Sequence, residues 1–266
     1  MLSVLLAAGR GTRLQTSSDT SLTPAQLSAA ASGFKAALPV NDRPFLDYIL
    51  SSLADAGFDE ACIIVRPDDS VLRARYSSLT PSRIRVRFVV QEQPLGTAHA
   101  LLTAASVIGE RPFVVLNADN YYPVSGLTLL REAGEPATLA FSRAGLLANR
   151  QLEPDRLARY AVLERDADGY LTDVIEKPDD LRLLARDDVA ISMNVWRFDD
   201  RIFDACGGMS PSPRGEFELP NAVRRGIREM GLRIRAIPID APVLDLSHRA
   251  DVPFVTEQLS GVDVRL

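Results

Sequence analysis

The chain has 266 residues, 46 % hydrophobic and 24 % charged, which suits one large α/β domain with a sizeable core. Its net charge of −5 excludes a global basic field for nucleic acid or an anionic membrane, so any binding of phosphates must be local. No apolar run approaches transmembrane length, no signal-peptide pattern opens the chain, and His99 and His248 are too few for a histidine-rich metal site. Cys62 and Cys206 are isolated in apolar surroundings, as expected of buried thiols in a reducing cytoplasm.

In chain order, Met1–Leu6 reads as a buried strand. Gln15–Gly33 is rich in Ser, Thr and Ala and reads as a mobile loop with a short helix at Pro24–Ala31. Strand-like runs follow at Ala61–Val65, Val86–Val90, Phe113–Leu116 and Ala137–Phe141. Helix-like stretches lie at Phe45–Ala56, Ser70–Leu79, Thr97–Val107 and Gly126–Ala133. This alternation predicts a Rossmann-like, mostly parallel sheet flanked by helices. Beyond about residue 145, Ala161–Leu163, Leu171–Ile175 and Ala190–Phe198 predict a small antiparallel extension. Glu218–Met230 is an amphipathic helix, Ile234–Ile239 and Val243–Leu246 return to strand, and Arg249–Leu259 is a last helix. No linker separates independent domains, and we expect one domain over 1–266, with a first part at about 1–145 and a second at about 146–266.

The stretch from Leu6 to Leu14, Leu-Ala-Ala-Gly-Arg-Gly-Thr-Arg-Leu, carries the most information. Ala7, Ala8, Gly9 and Gly11 remove bulk where the first strand ends, so backbone N–H groups can approach a phosphate. Arg10 and Arg13 add two permanent positive charges. Leu14 stands where the dinucleotide fingerprint needs its third glycine, and the Gly-Lys-Ser/Thr of the Walker loop is absent. Of the 30 basic residues 28 are arginine; the two lysines are Lys35, in Gly33–Pro39, and Lys177, in Glu-Lys-Pro. Lysine and arginine are not interchangeable where a compact ammonium is needed. Gln91 stands five positions before Gly96, and a glutamine amide supplies both a donor and an acceptor to a nucleobase. Phe113–Asp119 is an apolar strand ending in a carboxylate, well placed for a divalent cation at a sheet edge.

Taken in order, these motifs resemble those of the sugar-phosphate nucleotidylyltransferases, over most of the chain from Leu6 to about Val252. The resemblance implies an α/β nucleotide-diphospho-sugar transferase fold and an enzyme that joins a sugar 1-phosphate to UTP or dTTP, releasing pyrophosphate. It implies that the loop of Leu6, Ala7, Ala8, Gly9, Arg10, Gly11 and Thr12 wraps the triphosphate and that Arg13 contacts it. Lys35 neutralises charge near the α-phosphate, and Gln91, Gly96 and Thr97 belong to the base subsite. Asp119 and Asp245 hold Mg²⁺. Glu176 accepts hydrogen bonds from sugar hydroxyls, Lys177 docks the sugar phosphate, and Asn117, Asn194 and Glu218 complete the substrate site. Glu218 is equally readable as a helix cap.

The chain departs from the family pattern in three places: Ala118 replaces a glycine, Gln15–Gly33 is longer than usual, and Leu246-Ser-His replaces glycine-rich sequence after Asp245. The expected partners are a nucleoside triphosphate and a sugar 1-phosphate, with no nucleic acid or membrane; the expected compartment is the cytoplasm, and a homo-oligomer is left open. Two alternatives stand beside this reading. A nucleotide-sugar-dependent glycosyltransferase would use an Asp-x-Asp motif, whereas the fourth strand ends in Asp119-Asn120. A non-catalytic regulatory subunit would keep the fold and bind nucleotide sugars.

Overall fold

A computed structural model describes residues 1–16, 22–79, 81–149, 151–186 and 188–266. Among the described residues ten strands share one sheet. They are β1 (Leu2–Leu6), β2 (Glu60–Val65), β3 (Arg85–Val90), β4 (Phe113–Asn117), β5 (Ala137–Ser142), β6 (Ala161–Arg165), β7 (Leu171–Ile175), β8 (Ala190–Ser192), β9 (Trp196–Phe198) and β10 (Arg235–Ile239). The order is β7-β6-β8-β5-β9-β4-β1-β2-β3, with β10 also paired to β5. Strands β4-β1-β2-β3 are mutually parallel, as is β10 with β5; pairs involving β8, β9 and the β6-β7 hairpin are antiparallel.

The apolar runs lack a polar alternation because both sheet faces are covered. In β4, Phe113 and Val115 join one buried cluster while Val114 and Leu116 join the other. Registers bring the carboxyl ends of the parallel strands to one edge: Leu6 lies opposite both Ile64 and Asn117, and Val65 lies opposite Val90. Ligands of open α/β sheets bind outside these carboxyl ends. Cys62 and Cys206 are buried free thiols; burial pushes Cys62 up to about 11 and Cys206 to about 12.

Four elements differ from expectation. The expected single strand Ala190–Phe198 is two, β8 and β9, broken at Asn194, whose φ is +57°. Both halves pair with β5, but on their other side β8 pairs with β6 and β9 with β4. The sheet forks there, and asparagine tolerates the left-handed backbone that the fork needs. Helix Thr97–Val107 is interrupted at Ala104, leaving Thr97–Thr103 and Ala105–Ile108. The strand at Val243–Leu246 shortens to Leu244–Asp245 and leaves the main sheet to pair with Asn120–Tyr121. Within Gln15–Gly33 the expected short helix is present, at Pro24–Ser32, opened by a Thr23–Gln26 capping box, and the difference is helix Thr12–Thr16, whose end runs into the expected loop. The part at 17–21 lies outside the described residues.

Candidate active site

A cavity of about 440 Å³ opens at the carboxyl ends of the parallel strands and continues past the fork. Leu6, Ala8, Gly9, Arg10, Gly11, Thr12 and Arg13 line one end. Ala7 does not: its N–H continues the sheet by donating to Ile64 O at 2.9 Å, and its side chain packs on the core. Arg10 and Arg13 make no ion pair among the described residues, which leaves both guanidinium groups available to an anion.

Gly11 and Gly33 explain how Lys35 reaches this loop despite the long intervening segment. A Cβ on Gly11 would stand 2.2 Å from Gly33 O, and one on Gly33 would stand 2.3 Å from Arg10 O. Both residues have positive φ, so the two backbones meet at a distance only glycine permits. The following 3₁₀ turn, Lys35–Ala37, then aims Lys35 Nζ at Asp119 Oδ2, 2.7 Å away. Burial works against the Lys35 charge, but Asp119 and Asp245 outweigh it and raise its pKa above the ordinary lysine value. Lys35 is therefore a fixed cation among carboxylates.

Gln91 and Gly96 face the same cavity, with Thr97 beside them. Gln91 is held by the sheet, its N–H donating to Val65 O at 2.9 Å, and its side-chain Nε2 donates to Gly96 O at 3.1 Å. Thr97 Oγ1 accepts the Leu219 N–H at 2.8 Å, tying the loop after β3 to the start of helix Leu219–Met230.

Asp119 and Asp245 come together because Asp245 lies opposite Asn120 in the short strand pair. Their surroundings differ. Asp119 Oδ2 accepts from Lys35, and Oδ1 accepts no hydrogen bond among the described residues. Asp245 accepts four: Arg156 at 2.7 Å and Tyr160 at 3.0 Å on Oδ2, and Ser247 at 2.9 Å and Asn120 at 3.2 Å on Oδ1. Burial raises the Asp245 pKa, Asp119 adds to this, and Lys35 and Arg156 oppose it. The hard oxygen of Asp119 suits Mg²⁺. Asp245 as arranged does not fit the expected ligand role, since both oxygens are already occupied. Among the described residues no group of three or more His, Cys, Asp or Glu gathers to hold a metal.

At the far end, Asn194 Nδ2 donates to Asn117 Oδ1 at 2.7 Å, Asn117 to Asn120 at 3.3 Å, and Asn120 to Asp245. Glu176, Lys177, Asn194 and Glu218 all line the cavity. Lys177 has φ +47° and pairs with Glu176 at 2.9 Å and Glu218 at 3.3 Å. Glu218 occupies the N-cap position of its helix without capping it; its carboxylate turns instead to Lys177, Arg214 and Asn221.

Several cavity residues were not legible from sequence. Arg214 stands four residues before Glu218 and shares its carboxylate with Lys177, adding a second cation at this end. Only its place two residues before Glu216-Phe-Glu-Leu-Pro220, the segment that opens helix Leu219–Met230, could have marked it. Tyr160 and Arg159 line the cavity from the turn before β6, and Ser192 from the end of β8. Arg156, which holds Asp245 and Asp251 without lining the cavity, is one arginine of 28, with nothing in the sequence to distinguish it.

Residues 2–241 match the family described as Nucleotidyl transferase. The chain is 28 % identical over 252 residues to a UTP--glucose-1-phosphate uridylyltransferase, AglF, of Haloferax volcanii, covering 94 % of this chain and 93 % of that protein. It is 29 % identical over 225 residues to a glucose-1-phosphate thymidylyltransferase of Xanthomonas campestris pv. campestris, covering 83 % and 68 %. A UDP-glucose pyrophosphorylase crystallised with UDP-glucose superposes with TM-score 0.73 over 97 % of this chain and 98 % of that one, at 19 % identity, which shows the shared fold. No helix among the described residues is long and apolar enough to cross a membrane. With an α/β sheet, a Gly-rich basic loop at its carboxyl edge and a family match over most of its length, this chain is an enzyme of the nucleotidyl transferase family.

Proposed function

We propose that this enzyme joins a sugar 1-phosphate to UTP or dTTP, giving a nucleotide sugar and pyrophosphate. One observation carries the reading. A single cavity has two arginines without an ion pair among the described residues at its Gly-rich end, the Gln91–Gly96 pair beside them, and Lys177 with Arg214 at the other. Two anionic substrates and a base fit that spacing of charges, and the relatives named above act on UTP or dTTP and glucose 1-phosphate by their names.

In this reading the loop from Leu6 to Thr12 wraps the triphosphate and Arg13 holds the departing pyrophosphate. Lys177 and Arg214 dock the sugar phosphate, while Glu176, Asn117 and Asn194 address its sugar. Glu218 positions the two docking cations. An oxygen of the sugar phosphate attacks the α-phosphorus, and the bond to the pyrophosphate oxygen breaks with its electron pair leaving on pyrophosphate. The attacking oxygen is already anionic, so no protein nucleophile is required. Catalysis is positioning and charge neutralisation, with Lys35 beside the α-phosphate. Mg²⁺ bound at Asp119 would neutralise phosphate oxygens, and Asp245 joins the ligand set only by giving up one of its four present partners. The free, buried cysteines and the soluble substrates of this reading support a cytoplasmic location. Pyrophosphate release from a screen crossing nucleoside triphosphates with hexose 1-phosphates, with Mg²⁺ present, tests the proposal. Folded protein that binds UTP and UDP-sugars but turns over no combination would overturn it in favour of a regulatory role.

A further inference from the structure

The side-chain amide of Gln91 is oriented from behind. Its Nε2 lies 3.1 Å from Gly96 O and 2.9 Å from His99 Nδ1. The Gly96 carbonyl can only accept, so the amide nitrogen and not the amide oxygen belongs on that side. An amide nitrogen does not accept in turn, so His99 Nδ1 is the acceptor and the imidazole hydrogen sits on Nε2. Both amide hydrogens are then consumed by protein. Gln91 is buried yet lines the cavity, and its Oε1 accepts no hydrogen bond among the described residues. The Gly96 N–H likewise has no acceptor among them. His99 stands in the first turn of helix Thr97–Thr103 and is not part of the cavity wall.

The cavity is therefore offered one carbonyl acceptor from Gln91 beside one N–H donor from Gly96. That pair complements the imide edge of uracil or thymine, where N3–H lies beside a carbonyl. Cytosine presents a lone pair at N3, so the contact with Gln91 Oε1 turns repulsive, and its amino group also opposes the Gly96 N–H if that donor faces the 4-position. Were the Gln91 amide to rotate, its NH₂ would face the cavity and the preference would shift toward cytosine.

We propose that His99 is a positioning residue for base selection, which holds Gln91 Oε1 toward the base by accepting the second amide hydrogen. This rests on the reading of Gln91 as the base-contacting residue. Replacing His99 by leucine leaves the amide only its bond to Gly96. Replacing it by asparagine returns an acceptor oxygen near the place of Nδ1.

The test is equilibrium binding of UTP and CTP, with Mg²⁺, to the wild type and to His99→Leu, His99→Asn and Gln91→Leu, each first shown to melt cooperatively. The wild type should prefer UTP. His99→Leu should narrow the UTP-to-CTP affinity ratio by roughly three- to tenfold, the range of one lost neutral hydrogen bond. His99→Asn should restore the ratio to within about twofold, and Gln91→Leu should collapse it. A ratio unmoved by His99→Leu but collapsed by Gln91→Leu overturns the role of His99 and leaves the base reading standing. So does a loss that His99→Asn fails to restore. A ratio that Gln91→Leu does not move, or a wild type without a UTP preference, overturns the base reading itself and the proposal with it.

Discussion

The indole N–H of Trp196 donates to Asn194 Oδ1 at 2.8 Å, and this bond sets the direction of a polar chain across the cavity floor. Indole can only donate, so Asn194 must turn its oxygen toward Trp196 and its NH₂ toward Asn117. Asn117 then donates to Asn120, and Asn120 to Asp245, whose carboxylate can only accept. A donor-only group at one end and an acceptor-only group at the other orient three asparagine amides.

Trp196 is the only tryptophan and is fully buried, so its emission reports on Asn194. UDP-glucose, which extends into the sugar subsite, should change the intrinsic fluorescence, whereas UTP alone should change it little. Asn194→Ala should abolish the response and raise KM for the sugar phosphate about tenfold, as expected for losing oriented hydrogen bonds. Emission indifferent to saturating UDP-glucose would separate Asn194 from the sugar subsite.

Lys35 and Lys177 should each resist replacement by arginine, though for different reasons. Lys35 sits 2.7 Å from Asp119 in a tight carboxylate setting, and a longer, forked guanidinium would displace whatever phosphate lies beside it. A misplacement of about 1 Å can cost on the order of a hundredfold in rate. Lys35→Arg should chiefly lower kcat, and Lys177→Arg should chiefly raise KM for the sugar phosphate. Steady-state kinetics that stay within about twofold of wild type for both variants would remove the two lysines from the phosphate subsites.

Asp119 and Asp245 should not behave alike. On the proposed reading, Asp119→Asn removes the charge of a carboxylate whose Oδ1 accepts no hydrogen bond among the described residues, and it should raise the Mg²⁺ concentration needed for half-maximal activity while lowering kcat on the order of a hundredfold. Asp245→Asn removes the charge that half-buried Arg156 and Tyr160 share and leaves one acceptor oxygen for four donors, while Arg156 keeps Asp251, so it should lower thermal stability by about 1–3 kcal/mol. Differential scanning calorimetry beside Mg²⁺ titrations of activity separates the two. Equal Mg²⁺ effects with unchanged melting for both would show that Asp245 serves as a ligand on equal terms.

Gly96→Ala should damage stability and nucleotide affinity together. Gly96 has φ +107°, and a Cβ there would stand 2.6 Å from the Phe217 carbonyl oxygen and 2.8 Å from its nitrogen. Both obstacles are backbone, held by the Ala98 N–H to Phe217 O and the Phe217 N–H to Leu95 O hydrogen bonds, so neither can swing aside. We expect about 1–3 kcal/mol of destabilisation from the strained backbone alone and weaker UTP binding because the Gly96 N–H moves. Denaturant melts and UTP titrations check both; a variant unchanged in each would mean that the loop after β3 yields easily.

Much of this protein was legible in its sequence because the relevant physics is local. Apolar runs bounded by turn residues identify the parallel strands, since a strand covered on both faces needs no polar alternation. A Gly-rich basic loop at the end of the first strand points to phosphate, since backbone N–H groups and arginines act where they stand. The tertiary structure alone decided the rest, because those features depend on residues distant in the chain. The break at Asn194 exists because the two halves of one chain segment must pair with different strands, which a pattern of apolar residues cannot express. Lys35 reaches Asp119 only because Gly11 and Gly33 let two backbones touch across a long insertion. Asp245 reads in sequence as a free carboxylate at a strand end, but folding surrounds it with Arg156, Tyr160, Ser247 and Asn120. A side chain's charge is written in the sequence; which partners neutralise it is settled only when the chain brings them within hydrogen-bonding distance.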